Sequence, residues 1–159
     1  MPAGIPPELE SAYRSLVKDV RLALLSEIGA RAAYYHLAQR TKDEELRELL
    51  LRLNQDGAEV VKCVQQLMRE MGGRPRNTSF RRRALARILA QTTRLSGMRP
   101  ALRLCHSAEE TVSRWYAEYG QFLVRIQDLE RARLFQELSV RKRRNASALG
   151  AWITNLRGR

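Results

Sequence analysis

Apolar residues recur at helical spacing through four long stretches, and the strong helix breakers fall between those stretches. No other feature constrains the fold as tightly. Tyr13, Leu16, Val17, Val20, Ala23, Leu24, Ile28, Tyr34, Tyr35 and Leu37 form the first run. Pro6 and Pro7 suit a helix start, with Glu8 and Glu10 near the positive end of the dipole. Helix A is expected over about 8–40. Thr41 or Asp43 then serves as an N-cap, and the acids Glu44 and Glu45 open helix B over about 43–71. Its stripe is Leu46, Leu49, Leu50, Leu53, Val60, Val64, Leu67 and Met71, and Gly72-Gly73 with Pro75 ends it.

A basic connection of about 72–99 follows, in which 80–95 can form a short helix that Ser96-Gly97 breaks. Helix C is expected over about 100–126, with Leu102, Cys105, Val112, Trp115, Tyr116, Tyr119, Phe122, Leu123 and Ile126. Helix D covers about 128–156, with Leu134, Phe135, Leu138, Leu149, Trp152 and Leu156. The aromatic residues, including Tyr13, Tyr35, Trp115, Tyr119 and Trp152, are expected to pack. At 159 residues one domain is the natural expectation. The short A–B and C–D links predict two antiparallel helical hairpins. The long B–C connection predicts one crossover between them. The expected class is an all-α four-helix bundle.

Several classes are excluded or left without support. No run of about 18 apolar residues exists, so no membrane span is expected. Residues 1–7 lack a basic start and an apolar stretch, so no secretory signal is expected. Cys63 and Cys105 read as reduced thiols of a cytoplasmic protein. There is no nucleotide-binding loop, no HExxH and no Ser/His/Asp order, which leaves hydrolase and kinase chemistry without residues.

The informative residues interrupt the apolar stripes. Glu27 follows Leu24 by three positions, and Glu109 follows Cys105 by four, so each lies on a core-facing side. Each is followed at the seventh position by a tyrosine, Tyr34 and Tyr116, on the corresponding helices A and C. Lys142 lies four after Leu138 and seven before Leu149, on the inward stripe of helix D. Carboxylates facing a core cannot stay charged without compensation.

This layout resembles the ferritin and rubrerythrin superfamily over roughly residues 15–155. Leu37-Ala38 and the run Lys42 to Leu49 are similar to the A–B junction of rubrerythrin-like proteins. The closest likeness is to an uncharacterised bacterial four-helix-bundle domain family of unknown function, through Met71 to Pro75 and the segment Leu104-Cys105, Glu109 and Tyr116. The resemblance implies a ferritin-like bundle. In its metal-bearing members, helices A and C each give a Glu, and helices B and D each give a Glu-x-x-His pair. Glu27 and Glu109 match the first two metal ligands. The other four fall at Gly57 and Val60 on helix B and near Lys142 and Asn145 on helix D. The only histidines, His36 and His106, do not occupy those positions.

A one-residue shift on helix B would bring Asp56 and Glu59 inward, against the Leu53–Val60 stripe. The expectation is therefore a degenerate site without a cofactor. In it, Lys142 replaces the metal charge by pairing with Glu27, Glu109 or both, and Tyr34 and Tyr116 donate to the carboxylates. Two other readings stay open: carboxylates at the stripe edge reaching water, and an unusual iron site around Glu27 and Glu109.

The net charge of +12 is unevenly placed. Residues 1–70 hold 10 Lys and Arg against 11 Asp and Glu, and residues 71–159 hold 19 against 6. Arg81, Arg82 and Arg83 in the connection and Arg141, Arg143 and Arg144 on helix D are the candidate anion-binding residues. They read as a solvated basic face, balanced by a neighbour's acidic Asp43–Glu48 face, or as a polyanion site. No nucleic-acid-binding signature accompanies them. Three functions follow: a non-enzymatic structural or interaction module, an iron-handling protein, and a nucleic-acid-binding bundle. The first is the favoured expectation, with a homodimer, an acidic protein or a polyanion as partner.

Overall fold

The computed structural model describes residues 7–75 and 97–155. Among these, four helices carry nearly the whole chain: α1 Pro7–Arg40, α2 Glu44–Glu70, α3 Met98–Arg125 and α4 Leu129–Asn155. The protein is all-α in its described residues. The expected basic helix over 80–95, with Arg81, Arg82 and Arg83, lies outside them.

Local chemistry sets the helix ends. Asp43 is the N-cap of α2, and its Oδ1 accepts from the Leu46 amide at 3.1 Å. Thr41, the other candidate, instead accepts from the Asp43 amide at 3.1 Å and steadies the turn. At the other end of α2, Gly72 takes φ 80°, and the Gly73 amide donates back to the Met68 carbonyl at 2.8 Å. The α3–α4 link uses the same device with a side chain present. Gln127 takes φ 61°, and the Asp128 amide donates to the Leu123 carbonyl at 2.9 Å. Helix α3 begins at Met98, two residues before the expected start. Gly97 turns the chain at φ 82°, and Pro100 then falls in the first turn, where its missing N–H breaks no helical bond.

Helix α1 packs along α2, and α3 packs along α4, whereas backbones of different pairs approach at few points. Small residues set the close approach within the second pair. A Cβ on Gly120 would lie 3.1 Å from the Ala132 carbonyl oxygen. About two turns from that contact on each helix, Ser113 and Ser139 each donate to the other's carbonyl, at 2.9 and 2.8 Å.

The apolar stripes fill two separate clusters. One gathers Val20, Leu24, Val60, Leu67, Leu123 and Phe135, and the other gathers Leu37, Leu50, Leu53, Leu102 and Leu149. Each such side chain, fully buried, contributes roughly 2 kcal/mol. Tyr116, Tyr119 and Phe135 meet with ring centroids 5.6 to 6.2 Å apart. Tyr35 departs from the packing expected of it and is 55% exposed. Its neighbour Tyr34 takes the inward position, and adjacent residues point about 100° apart on a helix. No described helix is long and apolar enough to cross a membrane.

Candidate functional site

The two apolar clusters are separated by a charged layer. On α1, Glu27 falls between Leu24 of one cluster and Ala33 of the other. On α3, Glu109 falls between Cys105 and Val112, and on α4, Lys142 falls between Leu138 and Leu149. All three are 2% exposed or less. Each was placed there by helical spacing, because each replaces one apolar residue of a stripe.

The Lys142 ammonium stands between the carboxylates. Its Nζ is 2.6 Å from Glu27 Oε2 and 3.1 Å from Glu109 Oε2. It also donates to Glu109 Oε1 at 3.2 Å. The tyrosines cross over: Tyr34 of α1 donates to Glu109 Oε1 of α3 at 2.5 Å, and Tyr116 of α3 donates to Glu27 Oε1 of α1 at 3.0 Å. Each Glu-to-Tyr repeat thus serves the carboxylate of the other helix. Beyond the ammonium, Oε2 of each glutamate meets no hydrogen-bond donor among the described residues.

Two carboxylates and one ammonium leave one negative charge in excess. Burial pushes the Glu27 carboxyl up to about 7, Lys142 opposes the rise, and Glu109 adds to it. For Lys142 burial acts downward, but the two carboxylates outweigh it and hold the ammonium above its ordinary value. Burial, and then the carboxylate each one serves, raises Tyr34 and Tyr116 well above 10. Both therefore remain donors at neutral pH. Burial, followed by Glu109, takes the Cys105 thiol up to about 12, so it is no thiolate nucleophile. The layer can hold and share a proton, and its three charged side chains are buried among the described residues.

The residues do not fit a di-iron centre. Gly57 and Val60 are buried and offer no ligand. The space over Gly57 is taken by Arg31, whose Cγ would lie 2.7 Å from a Cβ there and whose Nε donates to the Asn54 carbonyl. Asn145 donates to Asp56 Oδ2 at 2.9 Å, away from the glutamates. An ammonium occupies the place between Glu27 and Glu109 where a cation would bridge them. Among the described residues no three His, Cys, Asp or Glu side chains gather as a metal would require. His36 lies beside Arg40, and His106 lies 3.5 Å from Glu110.

The shifted register that would turn Asp56 and Glu59 inward is not adopted. Both pair with Arg141 at the α2–α4 boundary. Arg141 thus departs from its expected place in an anion-binding patch, because its guanidinium is committed to two carboxylates of the same chain. Arg143 and Arg144 are exposed and have no ion-pair partner among the described residues.

Two arrangements escaped sequence reasoning. The Ser113–Ser139 clasp could have been suspected from small polar residues beside Val112 and Leu138. The Arg141 brace could not, because it depends on how α2 and α4 lie side by side. No family profile, curated protein or solved structure matches this chain.

Proposed function

We propose that the chain is a ferritin-like bundle of two antiparallel hairpins joined by one long crossover. In it a lysine takes the place of the metal, and the protein works as a non-enzymatic structural or interaction module. The observation that carries this reading is the Lys142 ammonium seated between Glu27 and Glu109. The contacts of Val17 with Gly73 and of Arg31 with Asn54 support the antiparallel course of α1 and α2. The partner would be a second copy of the chain or an acidic protein, met by exposed arginines of the basic half.

The test is elemental analysis after incubation with ferrous iron and removal of excess metal, on the natural protein and on Lys142→Ala. The natural protein should retain almost none. One or two firmly held metal ions per chain in the natural protein would overturn the reading and make iron handling the leading function. Uptake by Lys142→Ala alone would support the view that the ammonium excludes a cation from a two-carboxylate seat.

A further inference from the structure

Four consecutive cations on one helix must point in four directions, since successive side chains turn by about 100°. On α4 their fates divide. Arg141 pairs with Asp56 and Glu59, and Lys142 pairs with Glu27 and Glu109. Arg143 and Arg144 keep no carboxylate among the described residues, and no acid follows Glu137 on α4. Arg143 lines a cavity between α3 and α4 together with Arg114, likewise exposed and without an ion-pair partner.

The cavity exists because its floor is small: Ser113 and Ala146 leave the helices close but the groove unfilled. Ser107, Thr111 and Ser147 also line it, and the Ser147 hydroxyl donates to the Arg143 carbonyl at 3.0 Å. His106 lines it too, with Glu110 held against its ring at 3.5 Å. Two guanidiniums without an ion pair outnumber the one carboxylate at this concavity, Glu110, and leave it net positive. Planar, multi-donor guanidiniums with neighbouring hydroxyls suit a tetrahedral oxyanion.

We propose that this groove binds the phosphate group of a small phosphate monoester, with Arg114 and Arg143 as its two cationic arms. A nucleic-acid backbone fits less well. It asks for a row of free cations, and on α4 two of the four in the run are already neutralised within the chain. The site is independent of the buried Lys142 layer, so its test does not depend on the metal reading.

The experiment is a titration of the full chain with O-phosphoserine and with inorganic phosphate at constant ionic strength set by chloride, followed by amide NMR shifts. Saturable shifts should cluster at Ser107, Thr111, Arg114, Arg143 and Ser147. Arg114→Ala and Arg143→Ala should each weaken binding about tenfold or more, and Arg143→Lys should recover only part. Arg144→Ala, which removes the same charge outside the groove, should leave affinity within about twofold. Saturation by inorganic phosphate but not by the monoester would reject the ester and leave only a free-anion site. Unsaturable shifts, shifts elsewhere, or an equal loss in Arg144→Ala and Arg143→Ala would overturn the proposal. Tighter binding to a DNA duplex that loses equally in those two variants would replace it with a diffuse polyanion surface.

Discussion

Lys142 concentrates the consequences of single residues. Lys142→Met keeps the length of the side chain and removes its charge, leaving the buried Glu27 and Glu109 pair without its cation. Urea unfolding at neutral pH should show a loss of roughly 3–5 kcal/mol, the usual cost of stranding a buried charge. Adding Glu27→Gln and Glu109→Gln should recover most of it, because neutral amides still accept from Tyr116 and Tyr34. The pH dependence has a definite sign. The Glu27 carboxyl titrates near 7 when folded and near 4.5 in its ordinary state. Between those values the folded chain keeps a proton that the unfolded chain has released, so rising pH favours unfolding. The stabilisation is complete below about 4.5 and gone above about 7, a fall of roughly 3 kcal/mol. Urea midpoints measured across that window should decline in the natural protein, and Glu27→Gln should remove this component of the slope. A slope unchanged in the variant would assign the decline to other groups. Glu27, Glu109 and Lys142 were legible in the sequence because a charge within an apolar helical stripe has few places to go. Which tyrosine serves which glutamate was not legible, since that depends on how α1 and α3 lie against each other.

At the scale of elements, the caps carry the predictions. Gln127 holds a left-handed conformation in which a Cβ is strained, and Gly72 fills the same role at the end of α2. Gln127→Gly should therefore stabilise the chain by about 0.5–1 kcal/mol and raise its melting temperature by roughly 1–4 °C. Asp43→Ala should cost about 1 kcal/mol through loss of the bond to the Leu46 amide, read from the same melting curve. The helices were legible because their stripes are long and their breakers strong. The boundaries moved by a residue or two where the deciding event was backbone geometry, as at Gly97 and Met98. Tyr35 was misplaced for a related reason: next to Tyr34 it satisfies the same loose spacing, and only one of two adjacent aromatics can face inward.

Across the whole molecule, the helix pairs α1–α2 and α3–α4 meet mainly through side chains. Polar contacts supply much of the specificity: Tyr34 to Glu109, Tyr116 to Glu27, Lys142 to Glu27, and Arg141 to Asp56 and Glu59. Their energies differ by setting. Arg141 is more than a third exposed, so solvent screens its pairs, and Arg141→Ala should cost about 1 kcal/mol or less by urea unfolding. A loss comparable with that of Lys142→Met would show that this outer brace is far stronger than its exposure implies. The four-helix class was legible at this scale, whereas the lateral match between α2 and α4 was not, because no single helix encodes it. The crossed tyrosines have one further consequence. The two helix pairs docked a single turn out of step would still hide their leucines. They would also strand a carboxylate or the ammonium in oil, at a cost of several kcal/mol. The charged layer thus acts as a parity check on assembly: it adds little to the strength of the correct arrangement and rejects the neighbouring wrong ones.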